Sequence, residues 1–316
     1  MKGADIMKKK KTANRKARRE ALTARLCLLP ASVGLVVLTY VPLIVSFILG
    51  FFKWSSITKP SFVGFDNYIR LFTKDPYFKD SIWVTVVFSV MAVIGSIVYS
   101  LIIAMLLNRK IPARGFLRAV FYLPYVLPSA AVYMGWNWLY ETNFGLFNYI
   151  LKSMGIENVR FLVDPKYVLP SLAVISVWLS GNLIVIFLAG LQNVPRVYHE
   201  AAEIDGANGF QRFLHVTLPC MSPIIFYNLL MSLITNLQII NPALALTNGG
   251  PGTSSTFISF LMYRYAFKDN QMGYAGAISF IFFIIIALFT AVVFATSKKW
   301  VFYEGGDCLL YTSRCV

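Results

Sequence analysis

Charged residues are scarce in this sequence. Only 14% of the 316 residues are Asp, Glu, Lys or Arg, whereas 57% are hydrophobic, and the mean hydropathy is +0.64. A soluble domain usually carries about a quarter charged residues, so an ordinary soluble protein is excluded. The two histidines, His199 and His215, have no Cys or His neighbour at metal-ligand spacing. We therefore expect neither a metal site nor a catalytic centre in this chain.

What the sequence has instead is a series of long apolar runs. Six of them approach or exceed the roughly 20 residues that a helix needs to cross a bilayer. Each run is too long for a strand and too unbroken for a surface helix. They lie at Leu26–Phe52, Ile82–Leu107, Phe116–Tyr140, Tyr167–Leu191, Ser222–Leu246 and Gly276–Thr296. The sequence predicts an all-α membrane protein with six transmembrane helices.

The positive charge is concentrated before the first run. Ten Lys and Arg residues fall within residues 1–25, with no aromatic residues between them that could stack on bases, so the net charge of +15 does not indicate nucleic-acid binding. Such a cluster favours a cytoplasmic N-terminus and contact with anionic membrane lipid. Six spans then place the C-terminus in the cytoplasm as well. We divide the chain into a basic segment (1–25), a membrane domain (26–304) and a tail (305–316).

The four cysteines do not form a disulfide framework. Cys27 and Cys220 lie at predicted cytoplasmic ends of spans, a reducing side, and packing is their expected role. The other two belong to the last nine residues, CLLYTSRCV. These resemble the translation of a sequencing-library transposon end joined to its inverted copy. We expect residues 308–316 to be a cloning artefact and leave them out of the fold prediction.

The spans contain almost no group that could couple transport to an ion gradient. Arg118, close to a cytoplasmic edge, is the exception, and its side chain can reach the interface. The segment Asn248–Thr256, NGGPGTSST, lacks the Lys of a nucleotide-binding P-loop and is predicted to be a tight loop on the outer side. Energy must therefore enter from another chain, or the pathway is passive.

A short polar segment interrupts the apolar runs at Glu200–Pro219, EAAEIDGANGFQRFLHVTLP. It indicates a helix, a turn and a second helix, with Asn193 as a cap, Pro195 in the first turn and Gly206 at a left-handed exit. Three apolar residues of the second helix are predicted to anchor its base against the bundle: Phe210, Phe213 and Leu214. A plain linker with helical propensity is the alternative interpretation.

The same segment resembles the EAA loop of ABC-importer permeases. Its pattern is E-A-A, three residues, G, nine residues and I-x-L-P, with Val in place of Ile here. The matching positions are Glu200, Ala201, Ala202, Gly206, Val216, Leu218 and Pro219. Further stretches resemble sugar permeases of this superfamily, of the maltose and glycerol-phosphate type. They are Phe62–Thr85, Arg118–Leu151 and the Gly-Gly-Pro segment Leu246–Thr256.

The resemblance implies a type I ABC importer transmembrane domain in a prokaryotic inner membrane. The loop is then the site where a cytoplasmic ATPase subunit docks, and that subunit, not this chain, binds ATP and Mg²⁺. The docking residues it implies are Glu200, Ala201, Ala202, Asp205, Gly206, Leu218 and Pro219. It also implies a second, distinct permease subunit, an extracytoplasmic solute-binding protein and a carbohydrate substrate. This chain would need no cofactor of its own and would not be an enzyme.

Uncharged polar side chains at depth suggest a path for a neutral hydroxylated solute. They gather in the fourth and fifth runs, which prolines also interrupt. The candidate path residues are Trp178, Asn182, Tyr227, Asn228, Asn236, Gln238 and Asn241. Each amide has an alternative role, which is to hold helices together.

Two other functions remain open from the sequence. A self-contained secondary carrier or channel would transport alone, and the lack of charged residues in the spans speaks against an ion-driven carrier. A membrane scaffold or receptor would use the polar hairpin to recruit a partner other than an ATPase.

Overall fold

The computed structural model describes residues 20–55 and 57–302, and these are mostly helical. In chain order the helices are α1 (Glu20–Leu49), α2 (Asp66–Thr73), α3 (Pro76–Asn108), α4 (Arg114–Val126), α5 (Ser129–Leu139), α6 (Leu146–Ser153), α7 (Pro165–Trp178), α8 (Gly181–Asn193), α9 (Arg196–Ile204), α10 (Gly209–Cys220), α11 (Ser222–Leu237), α12 (Ile258–Tyr263) and α13 (Met272–Ser297). Strands β1 (Phe52–Lys53) and β2 (Ser61–Phe62) pair antiparallel.

Three helices are each long and apolar enough to cross a membrane, namely α1, α3 and α13. Three further pairs of helices pass the same test together, although each is sharply bent. The bends are 98° between α4 and α5, 49° between α7 and α8, and 68° between α10 and α11. If each bent pair is counted as one span, the described chain has up to six, one for each predicted apolar run.

Besides the bend in the fourth run, the structure corrects details of the third and fifth predicted spans. The fifth run does not continue as a helix to Leu246, because α11 ends at Leu237 and a separate π-helical turn follows at Ala243–Thr247. The third run is broken at Leu127, which precedes Pro128 and is extended (ψ 143°). A residue before proline is pushed out of helical geometry by the proline ring, which explains the break.

The ends of α3 and α13 opposite the polar hairpin are joined through one buried carboxylate. Asp75 caps α3 by accepting from the backbone N–H of Tyr77 at 2.9 Å. Its second oxygen accepts from the hydroxyls of Tyr265 at 2.8 Å and Tyr274 at 2.6 Å. Burial, helped by the hydrogen bond to Asp75, raises the pKa of Tyr265 to about 12, so this hydroxyl stays a neutral donor. One acidic side chain therefore connects α3, α13 and the π-helical turn Arg264–Lys268, which contains Tyr265.

The first helix packs along the last. Most apolar side chains of α1 are exposed, and its principal neighbour is α13, where the rings of Phe47 and Phe280 lie 4.2 Å apart. A Cβ on Gly276 would stand 2.8 Å from the carbonyl oxygen of Ser46. A glycine at this position lets the two backbones approach closely, as small residues commonly do between membrane helices.

The long helix α3 is the centre of the bundle, in contact with α7, α8 and α11. Its packed face carries small hydroxyl residues, and Ser100 bonds Ser180, at the start of α8, with 2.9 Å between their oxygens. Tyr140 closes the far end of the same core by donating to the carbonyl oxygen of Ser171 at 3.0 Å. The first bond therefore ties the start of α8 to α3, and the second ties α7 to the end of α5.

Candidate functional sites in the hairpin and the central cavity

The polar hairpin begins at the end of α8. That helix includes Asn193, Val194 is extended, and α9 starts at Arg196 with Pro195 as its N-cap and no side-chain cap. The predictions of an Asn193 cap and of Pro195 in the first turn are therefore wrong. The reason is that Val194 precedes a proline and is forced out of helical geometry. The helix α9 therefore starts after Pro195 and not at it.

The turn of the hairpin is a Schellman motif with Gly206 in the left-handed region (φ 78°). The Gly206 N–H donates to the Glu203 carbonyl at 3.0 Å, and the Ala207 N–H donates to the Ala202 carbonyl at 2.9 Å. This pair of bonds is the usual way in which a helix ends at a glycine. The predicted left-handed exit at Gly206 is confirmed.

The second limb has its own cap and is tied to the first. Asn208 and Gln211 form a capping box, with each side chain bonded to the other's backbone N–H at 2.9 and 2.8 Å. Arg212 of α10 forms an ion pair with Glu203 of α9. The segment is therefore an ordered helical hairpin, which favours a structural role over that of a plain linker.

The residues of the EAA pattern lie mostly on the surface. Glu200, Ala201, Asp205, Gly206 and Pro219 are exposed, and Ala202 and Leu218 are half-buried. Ile204, at the end of α9, is 87% exposed. The hairpin thus presents an acidic edge together with uncovered apolar side chains.

The predicted anchoring of the second limb is only partly correct. Phe210 is 72% exposed and Leu214 is 43% exposed, so neither packs its side chain into the bundle. Phe213 is half-buried and Thr217 is buried. A π-helical turn at Phe213–Thr217 changes the helical register here, which a regular helical spacing could not reveal.

A cavity of about 620 Å³ is lined by α3, by the broken helices and by the residues after α11, with amides and hydroxyls among apolar side chains. Four of the seven predicted path residues line it, and they are Asn182, Asn236, Gln238 and Asn241. The cavity's hydroxyl groups belong to Ser96, Tyr125, Ser129, Tyr133, Ser176, Ser180, Ser232 and Thr235, most of which the sequence did not single out. Among the described residues that line it, none is Asp, Glu, Lys, Arg or His.

The other three predicted path residues lie elsewhere. Trp178 lines a separate apolar pocket of about 570 Å³ together with Trp136 and Trp138. Tyr227 is 51% exposed and does not line the cavity. Asn228 is fully buried outside the cavity lining, and neither of its amide atoms has a hydrogen-bond partner among the described residues. Whether any of the seven contacts a substrate stays a prediction.

The cavity lies where the broken helices meet. Its lining includes Leu127 from the break between α4 and α5, and Leu179 and Ser180 from the break between α7 and α8. Residues 238–241, which follow the end of α11, complete it. Irregular backbone at membrane depth is tolerated where it lines a cavity, and such breaks surround the sites of many carriers.

The Gly-Gly-Pro segment forms a compact loop at the end of the bundle away from the hairpin. Ser255 and Thr256 are buried, and the Thr256 hydroxyl donates to the Gly249 carbonyl at 2.9 Å. Thr253 reaches α3 by donating to Asp80 at 3.0 Å. The predicted tight loop is confirmed, and its bonds are internal or to α3.

Comparison with known proteins identifies the class. The chain shares its fold with a chain of a bacterial ABC transporter involved in the import of the acidic polysaccharide alginate, with a TM-score of 0.78, 22% identity and coverage of 90% of this chain and 98% of the other. The predicted type I ABC importer fold is therefore confirmed.

The sequence comparison shows the family. Residues 96–300 match the family described as binding-protein-dependent transport system inner membrane components, and the chain belongs to that family. The probable ABC transporter permease protein YesP of Bacillus subtilis is 36% identical over 309 residues, 96% of this chain and 98% of YesP.

Several relatives have names that specify sugars or sugar derivatives. The trehalose/maltose transport system permease protein MalF of Thermococcus litoralis is 33% identical over 87% of this chain and 93% of its own length. The multiple sugar-binding transport system permease protein MsmF of Streptococcus mutans is 37% identical over 84% and 91%. The predicted resemblance to sugar permeases is confirmed.

Proposed function

We propose that this chain is the permease subunit of an ATP-driven importer of a neutral carbohydrate, and that it depends on a separate ATPase. The observation that carries the proposal is the ordered hairpin Glu200–Pro219, whose surface matches the EAA pattern of ATPase docking. The described lining of the central cavity offers no carboxylate, amine or imidazole that could carry a coupling proton. This lining favours a motor that acts on the hairpin over a proton-driven carrier.

The complete importer needs subunits other than this chain. One hairpin serves one ATPase subunit, so we infer a second permease, distinct from this one in sequence, facing a second ATPase subunit that also binds ATP and Mg²⁺. An extracytoplasmic solute-binding protein would deliver the sugar to the end of the bundle that carries the Gly-Gly-Pro loop. The hairpin and both termini would then lie in the cytoplasm.

The lining of the cavity supports a neutral substrate. Amides and hydroxyls donate and accept hydrogen bonds in the way that sugar hydroxyls require, and the described lining includes no cation to pair with a uronate. The ABC transporter of similar fold imports alginate, which is acidic. We therefore expect the two importers to differ in the charge of the sugar they carry.

Uptake in cells that express this chain together with an ATPase, a second permease and a solute-binding protein tests the proposal. We expect ATP-dependent accumulation of a neutral oligosaccharide, and little accumulation of an oligosaccharide of uronic acids of the same length. Accumulation that follows an ion gradient after ATP depletion would favour a secondary carrier. Equal uptake of the uronate would contradict the inferred neutrality of the substrate.

A further inference from the structure

A buried hydroxyl lies at the bend between the hairpin and the fifth span. Ser222 is the first residue of α11, it is buried, and α10 meets α11 here at an angle of 68°. In a continuous helix the carbonyl oxygen of Pro219 would accept from the backbone N–H of residue 223, but that residue is a proline and has no N–H. The hydroxyl of Ser222 donates to this carbonyl oxygen instead, at 2.7 Å. A side chain therefore supplies the bond that the bend lacks.

The same hydroxyl binds the chain beyond the last span. Its oxygen accepts from the backbone N–H of Phe302 at 2.7 Å, and Phe302 follows the end of α13. A hydroxyl donates one hydrogen bond while it accepts another, so the two bonds are compatible. Ser222 thus joins the end of the hairpin, the start of α11 and the segment after α13.

Aromatic rings hold the same elements together. Phe226, one turn after Ser222, is buried, and its ring lies 5.2 Å from that of Phe294 in α13 and 6.0 Å from that of Trp300. Such ring pairs stabilise the packing of α11 beside α13. The hydrogen bond from Phe302 to Ser222 adds a directional contact where these helices reach the hairpin.

We propose that Ser222 is a positioning residue that makes α13 follow the hairpin when the ATPase moves it. This inference rests on the proposed function. Without the hydroxyl, the hairpin would stay continuous with α11 along the chain, but its bonded link to the end of α13 would be lost. At the other end of α13, Tyr274 donates to Asp75. A movement that reaches α13 is therefore passed on toward the opposite end of the bundle.

The amount of solute transported per ATP hydrolysed tests this role. The full-length chain is reconstituted in proteoliposomes with its ATPase, the second permease and the binding protein, and both rates are measured. We expect Ser222→Ala to keep the ATPase bound and active while uptake per ATP falls about fivefold, the effect of roughly one net hydrogen bond. Ser222→Thr keeps the hydroxyl and should restore the ratio. A residue that only stabilises the fold would change uptake and hydrolysis together.

Hydrogen exchange at the Phe302 amide measures the bond itself and needs no transport. In the full-length chain in detergent, we expect Ser222→Ala to speed the exchange of this amide about fivefold, and Ser222→Thr to leave it unchanged. Ser297 provides a matched control near the same junction, because its hydroxyl donates within α13, to the Phe294 carbonyl at 2.8 Å. Ser297→Ala should change neither the exchange nor the uptake per ATP.

Each of the following results would overturn the proposal. Unchanged uptake per ATP in Ser222→Ala, with faster exchange at Phe302, would leave Ser222 a structural contact only. Unchanged exchange would mean that the bond is not made, and equal effects of Ser222→Ala and Ser297→Ala would mean that the end of α13 is generally loosened. Loss of the ATPase from Ser222→Ala would assign the residue to docking. Absence of ATP-dependent uptake by the unmodified complex would instead overturn the proposed function, and the role of Ser222 with it.

Discussion

At the scale of single residues, Gly206 sets the strictest requirement in the hairpin. Its φ is 78°, and a Cβ built there meets nothing within 4 Å, so the backbone angle alone makes a side chain unfavourable. A left-handed residue with a Cβ costs roughly 1–2 kcal/mol, and more when the side chain is β-branched. We expect Gly206→Val to distort the turn and to reduce both co-purification of the ATPase and ATP-coupled uptake.

Gly209, three residues further on, provides the control. It is also exposed, and a Cβ added there would meet nothing within 4 Å, but its φ is not positive. Gly209→Val should therefore leave ATPase co-purification close to that of the unmodified chain. Intact ATP-coupled uptake in Gly206→Val would contradict the role given to this turn.

Asp75 holds together the end of the bundle that lies away from the hairpin. Replacing it with Ala removes the cap of α3, worth about 1 kcal/mol, and leaves the hydroxyls of Tyr265 and Tyr274 without their acceptor. We expect Asp75→Ala to lower the thermal unfolding temperature in detergent clearly. Asp80→Ala, which loses one exposed bond to Thr253, should lower it much less. Equal decreases in the unfolding temperature of the two variants would contradict this structural role of Asp75.

At the scale of elements, the hairpin was predictable because its signals are local. Gly206 and the polar composition lie within one short stretch of sequence, and the structure keeps the left-handed turn, although Pro195 is the N-cap of α9 and Pro219 lies inside α10. What the sequence did not reveal depends on geometry. Neither the capping box at Asn208 nor the π-helical turn at Phe213–Thr217 is fixed by spacing alone.

The ion pair between the hairpin limbs should matter little for stability. Arg212 and Glu203 have side chains that are 28% and 59% exposed, and a pair in such a position is typically worth about 0.2–1 kcal/mol. We expect Glu203→Gln to change the unfolding temperature slightly, in contrast to Gly206→Val. An effect as large as that of the glycine variant would show that the pair, not the turn, sets the hairpin's shape.

The cavity between the broken helices leads to a prediction about the KM of uptake. If Asn241 contacts the solute, Asn241→Ala removes a hydrogen bond and raises the KM of uptake by up to about tenfold. Tyr227, predicted alongside it but placed outside the cavity, serves as the control, and Tyr227→Ala should leave the KM unchanged. The opposite ranking of the two variants would move the path away from this cavity.

At the scale of the whole molecule, the positions of the spans were readable from hydrophobic runs, but the cavity was not. The sequence indicates Asn182 and Asn241 as amides within the predicted spans. Only the bends between helices bring both residues to the lining of the same cavity. Trp178 and Asn228 belong to the same predicted spans but do not line this cavity, since Trp178 lines an apolar pocket and Asn228 is buried elsewhere. The predicted basic segment is almost entirely outside the described residues, as are residues 308–316, so neither prediction is tested.

Transport by the reconstituted subunit tests most directly whether the driving force comes from outside this chain. In proteoliposomes that contain this chain alone, with an imposed proton or sodium gradient, we expect no concentration of solute above the outside level. Addition of the ATPase, the second permease, the binding protein and ATP should produce accumulation. Uphill accumulation by the chain alone would contradict an external source of energy.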